Sequence, residues 1–335
     1  MNSSTSLNDA YEVLRRVQAS SSDSKIKLGA RGTCRFCGRT DRNSFRKEAH
    51  TFPISLGNRW VVSLDECDVC NEQVFSRYED ALAKAVGPVL TLGGTRGRSG
   101  KVRSSGRSTA PVTIRRSHYA GSKPEISITA PLDDPRLFIT GNRKTGDLRL
   151  PILAPPEAFV PRYAYKALAK MAYAILPTED LSHYSKLRAW LIDETEVLDF
   201  PFLEVGVSFG SVGNAPEMVA GTLLRRRYNG DPLPYTIFVF CAGSVCLQIE
   251  LMSDHLEDHL PPMRPGQVKI NFSVVIADDD DRSPITIEYG APQFVTWHAS
   301  EPQPSFIESV VMDFNIRSSE GELTPILRRS MTLPG

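Results

Sequence analysis

The chain has 335 residues, too many for one ordinary core and enough for two domains. Hydrophobic residues make up 41% of it, which excludes global disorder. Lys+Arg and Asp+Glu both count 39, so net charge by itself favours neither a nucleic-acid partner nor a membrane surface.

The opening stretch MNSSTSLNDAYEVLRR has no apolar core of the signal-peptide kind, and no apolar run approaches the ~18 residues of a membrane span. A cytoplasmic protein with no membrane partner is expected. In that reducing compartment, six cysteines favour metal over a disulfide framework.

In chain order, residues 1–32 read as a short helix and a linker. Leu7, Tyr11, Leu14 and Val17 fall at helical spacing over 7–18, and SSSDSK follows as a joint. Residues 33–92 bear four of the cysteines. They close in a helix predicted over 71–85, with Val74, Tyr78, Leu82 and Ala85 on one face.

A Gly/Ser/Arg-rich linker, 93–125, comes next. No acidic residue lies between Asp80 and Glu125, whereas Arg96, Arg98, Lys101, Arg103, Arg107, Arg115 and Arg116 do. Such a block suits either a solvated linker or phosphate contact, and its place behind the cysteine segment favours phosphate.

Residues 126–335 are expected to form an α+β domain. Its strand-like runs include PEISITAP, GDLRLPIL, PYTIFVFCAG, VCLQIEL and VKINFSVVIA. Helices are predicted over 161–175, opened by Pro161 at a favoured first position, and over about 180–193. Cys241 and Cys246 read as small buried hydrophobes, and the acidic run Asp278–281 as a solvated turn.

The strongest motif is Cys34-x-x-Cys37, a 29-residue gap, then Cys67-x-x-Cys70. Two such pairs supply the four thiolates of a tetrahedral structural Zn2+ site. Gly38 permits the backbone reversal of a knuckle, and the second pair stands where a helix begins.

Between the pairs lie FRKEAHTFPISLGN and WVVSLDEC, with Asn71 directly after Cys70. Over about residues 33–90 the chain resembles the HNH family of ββα-metal nucleases, in the subtype stapled by two Cys-x-x-Cys knuckles. The resemblance rests on His50, Pro53, Leu56-Gly57, the run 60–64 and Asn71.

It implies an α+β fold with an N-terminal treble-clef-like zinc module and a DNA phosphodiesterase activity. His50 would be the general base and Asn71 a ligand of a second cation, Mg2+ or another divalent ion. A histidine near its ordinary pKa can take a proton from water at cytosolic pH. A hard divalent cation suits the charge that develops on phosphate.

The sequence departs from the family pattern at two places. The position before the base, usually acidic or His, is Ala49, and the nearest carboxylate is Glu48. Strand alternation puts Glu48 on His50's own face. The Asn that braces the family's loop has two candidates, Asn58 by residue type and Ser63 by position.

An inactive zinc module that binds nucleic acid or a protein partner is therefore the alternative, and a protein partner or oligomerisation through the C-terminal domain fits either. A third possibility, a metal site at His255 and His259, is weakened by Pro261 and Pro262.

Overall fold

The computed structural model describes residues 10–104, 113–117, 125–129, 138–141, 145–151, 158–193, 203–210, 217–228, 233–254, 268–276, 284–304, 309–316, 323–325 and 331–332. Strand β1 is Tyr11–Ser20, β2 Ile26–Leu28, β3 Ala49–His50 and β4 Val61–Ser63. A π-helical turn, Cys70–Phe75, runs into α1 (Ser76–Ala85), and α2 (Gly87–Gly93) follows.

Strands β5 (Thr113–Ser117), β6 (Glu125–Thr129), β7 (Phe138–Gly141) and β8 (Thr145–Pro151) precede helices α3 (Pro161–Ile175) and α4 (Ser185–Ile192). The strands that follow are β9 (Glu204–Phe209), β10 (Met218–Arg226), β11 (Thr236–Ala242), β12 (Val245–Leu251), β13 (Ser273–Ile276), β14 (Ile285–Glu288), β15 (Gln293–Thr296), β16 (Ser309–Ile316), β17 (Leu323–Pro325) and β18 (Met331–Thr332). This is an α+β architecture.

Its centre is a six-stranded sheet of order β1-β10-β11-β12-β9-β15. Every residue of β11 is buried, and its side chains sort by parity, as a strand covered on both faces requires. Phe238 and Phe240 enter one apolar cluster with α3, while Ile237, Val239 and Cys241 enter another with Val274, Ile276 and Ile287 of the β13–β14 hairpin.

The helix expected over 7–18 is instead the edge strand β1, paired antiparallel with β10. A bulge between Val13 and Arg15 breaks the two-residue alternation. Tyr11, Leu14 and Val17 then fall three apart, which imitates a helical period.

Helix α3 begins at Pro161 as expected and is buried nearly all round, Lys166 and Lys170 included. It lies between the sheet and the cysteine segment. Phe36, Phe52, Phe75 and Tyr78 belong to the same apolar cluster as Leu168, Phe238 and Leu247. The cysteine segment, α3 and the central sheet thus draw on one shared core.

Phe52 packs directly on β10. A Cβ at Gly221 would stand 2.6 Å from the Phe52 ring, so only glycine admits that approach. The 93–125 stretch is structured where it is described. Arg96 and Val102 bridge across a tight loop, and β5 pairs with β6.

Candidate metal centre and the histidine strand

The first cysteine pair sits on a knuckle closed by the Gly38 N–H donating to the Cys34 carbonyl at 2.8 Å. Gly38 takes φ +75°, the left-handed conformation foreseen for it. The second pair occupies the first turn of the helical run, where the Asn71 N–H donates to the Cys67 carbonyl.

Cys34 and Cys70 place their Sγ atoms 3.9 Å apart, Cys37 and Cys67 3.6 Å apart, and all four sulfurs lie within 4.8 Å of one another. A tetrahedral zinc–thiolate site with bonds of about 2.3 Å has edges of about 3.8 Å. The four cysteines therefore stand close enough together to hold a metal ion such as zinc, and too far apart for disulfides.

The sulfurs are not equivalent. The side-chain bond shared with Cys70 holds the Cys34 thiol down to about 4, against burial. Burial pushes Cys67 up to about 11, and Cys70 is raised by its bond to Cys34. A divalent cation favours the thiolate form of all four.

The knuckle is fixed to the rest of the protein by two arginines. Arg35 pairs with Asp65 at 2.8 Å and donates to the Tyr173 and Leu176 carbonyls, and Arg188 donates to the Phe36 carbonyl.

His50 lies on β3, which pairs antiparallel with β4, and the chain then passes through the second cysteine pair into α1. The ring is half-buried, and its Nε2 stands 3.8 Å from Glu48 Oε1, the shared face expected from strand alternation. Ala49 points the other way, into the core.

Burial lowers the His50 pKa. Glu48 opposes this, while Lys25, Lys170 and Arg98 reinforce it. Its Nδ1 is buried and makes no hydrogen bond among the described residues. Glu48 Oε1 is paired with Lys25 at 2.5 Å in an exposed ion pair, and that bond keeps the carboxyl below the usual carboxylate range.

Asp68, between the second cysteines, accepts the N–H groups of Arg46 and Lys47, and Lys47 pairs with Glu72 beside Asn71. The approach to β3 is thereby stitched to the turn that carries Asn71, which is itself half-buried. Among the described residues, no third His, Cys, Asp or Glu joins His50 and Glu48 in a metal-sized group.

Asn58 is fully buried and braces the loop between β3 and β4. Its amide nitrogen donates to the Phe52 and Val61 carbonyls, and its oxygen accepts from the Trp60 and Val61 N–H groups. Those four bonds fill its hydrogen-bonding capacity, so it holds the loop rather than reaching a substrate. Ser63 bonds Thr51 instead.

Within the basic tract, Arg98, Lys101 and Arg103 are exposed, and Arg96 is exposed but paired with Glu217 at 3.1 Å. Arg59 donates to the Gly97 carbonyl, fastening this loop to the one after β3. Arg115 is exposed. Arg116, expected as a phosphate ligand, is half-buried and donates to the Leu92 carbonyl at the end of α2, so it serves the fold. Arg107, His255, His259 and the run 278–281 lie outside the described residues.

Sequence reasoning missed a buried cluster beneath His50. Lys170 Nζ reaches the His50 carbonyl and Glu66 at 3.0 Å each, and Glu79 at 3.3 Å. Burial pushes Glu66 up to about 7. Burial also opposes the Lys170 charge, but the two carboxylates outweigh it and raise the ammonium's pKa. The available signal was two lysines four apart inside the otherwise apolar ALAKMA helix.

No helix among the described residues is long and apolar enough to cross a membrane. Comparison with known protein families, with curated proteins and with solved structures gave no match.

Proposed function

We propose that the chain is a zinc-stapled, metal-dependent endonuclease of the HNH type that hydrolyses DNA phosphodiester bonds. The observation that carries this reading is the setting of His50. A half-buried imidazole with a lowered pKa stands on a strand stitched to the cysteine-anchored turn of Asn71, within the field of Lys25 and Arg98. Such a ring is neutral at pH 7 and can act as a base, and the cations around it suit a phosphate.

His50 takes a proton from the attacking water as its oxygen bonds to phosphorus, and the bond from phosphorus to the leaving 3′ oxygen breaks. Asn71 would offer its side-chain amide oxygen to a divalent ion such as Mg2+, which would supply charge stabilisation for phosphodiester hydrolysis. Arg98, Lys101 and Arg103 contact the duplex backbone, giving affinity without sequence information. The Cys34/Cys37/Cys67/Cys70 set holds Zn2+ and fixes the turn.

The test is nicking of plasmid DNA by the native protein and by His50→Ala, each with a divalent ion and with chelator. Cutting by the native protein alone, abolished by the chelator, is expected. Equal cutting by both proteins removes His50 from the mechanism.

Ala49 in the core and Glu48 held by Lys25 favour a second reading, a zinc module that binds nucleic acid without cutting it. That reading predicts salt-sensitive DNA binding and no strand breaks with Mg2+, Mn2+ or Ni2+.

A further inference from the structure

Lys170 is fully buried in the middle of α3, and its ammonium has three donors. It donates to the His50 carbonyl on β3 and to Glu79 on α1, and it forms an ion pair at 3.0 Å with Glu66 beside the second cysteine pair, although neither Glu66 oxygen makes a hydrogen bond among the described residues.

The His50 carbonyl is open to such a partner for a topological reason. β3 is an edge strand in the order β2-β4-β3, and the Thr51 N–H donates inward to the Val61 carbonyl. Successive residues of an antiparallel strand turn their backbone groups to opposite sides. The His50 carbonyl therefore faces away from the ladder, and Lys170 takes it.

Core stability alone does not call for a lysine here. Well-packed apolar residues often replace a buried ion pair without loss. What an apolar residue cannot supply is a directional bond that fixes a two-residue strand against the helix opposite it.

We infer that Lys170 is a positioning residue for His50, fixing the strand backbone and hence the ring against α1. The catalytic part of this inference rests on the nuclease reading above; the positioning itself does not. A misplacement of about 1 Å at a catalytic base costs about 100-fold in rate.

The test uses the full-length, zinc-loaded protein as the native chain, Lys170→Met and Lys166→Met. Lys166 is the control: it is buried on the same helix, but its ammonium donates to the Trp190 and Asp193 carbonyls and to the Tyr78 hydroxyl on α1, and none of these bonds reaches β3. Two readouts are taken, plasmid cleavage at saturating DNA and the ring carbon–proton resonances of labelled histidine, with the His50 signal assigned through His50→Ala.

Lys170→Met is expected to lower kcat about 100-fold with KM within twofold, and to shift or broaden the His50 resonance while zinc content stays unchanged. Lys166→Met should leave both readouts in place. If the native protein does not cut DNA, the nuclease reading fails and the resonance still decides the positioning. An unmoved His50 resonance in Lys170→Met, or equal changes in the two lysine variants, overturns the inference. Should Lys170→Met not fold, Lys170→Met/Glu66→Gln, which leaves no unmatched charge at Glu66, is measured in its place against the same criteria.

Discussion

Arg35 Nη1 donates to the Leu176 carbonyl across 2.9 Å, although 141 positions of sequence separate the two residues. The same nitrogen takes the Tyr173 carbonyl, so a side chain from the first knuckle caps the C-terminus of α3, where a helix favours a cation. Asp65 holds the guanidinium from the other side.

Arg35→Ala should therefore destabilise the protein by about 3 kcal/mol, because it leaves the buried Asp65 carboxylate and the Leu176 carbonyl without the guanidinium, while Tyr173 keeps only the Leu176 N–H. Urea unfolding of the two proteins measures it. Arg35→Lys should recover little, since an ammonium lacks the planar fork that reaches all three acceptors. A loss below about 1 kcal/mol for Arg35→Ala would show that the cap contributes little.

Metal content gives the second prediction. The native protein should carry one zinc per chain, and Cys67→Ser should lose it together with the ordered fold of the knuckles. Cys241→Ser should keep the metal, because that thiol lies in the sheet beside Cys246, on the face covered by the β13–β14 hairpin. Elemental analysis after gel filtration distinguishes the two, and zinc retained in Cys67→Ser would count against the four-sulfur site.

Asn58→Ala removes four hydrogen bonds from the loop between β3 and β4. Two carbonyls and two N–H groups are left buried without that partner, at about 1–3 kcal/mol for each such group before relaxation. A drop of about 3 kcal/mol or more in unfolding free energy is expected. Asn58→Asp should be damaged as well, since a carboxylate cannot donate to Phe52 and Val61. If Asn58→Ala melts with the native protein, the loop is held by something else.

The pH dependence follows from burial of His50. Its pKa is lowered from 6.5, and the base is the neutral form. The cleavage rate should rise with pH through a midpoint below 6.5 and be level at pH 7. Protonation at lower pH switches the base off. A midpoint above 6.5 would mean that Glu48, which pulls the other way, prevails over burial.

The sequence made some parts of the protein legible and hid others. The cysteine spacing, Gly38 and the shared face of Glu48 and His50 could be read because each depends on neighbours a few residues away. β1 could not, because a one-residue bulge disguised its period and its partner β10 lies about two hundred positions on. Lys170 was hidden for a related reason: a lysine's burial depends on Glu66 and Glu79, which only the fold brings to it. Arg116 looked like its exposed neighbours, and only the packed end of α2 separates it from them.

The shared core has a consequence for synthesis. The four cysteines emerge from the ribosome well before α3 and β11, yet Phe36 and Phe52 pack on Tyr173 and Phe240, which lie there. Contacts of such long sequence separation form late. During that interval a metal held by the cysteine cluster would tie the two halves of the nascent segment together, and without it Phe36, Phe52 and Phe75 would be more exposed to aggregation until α3 and the sheet arrive.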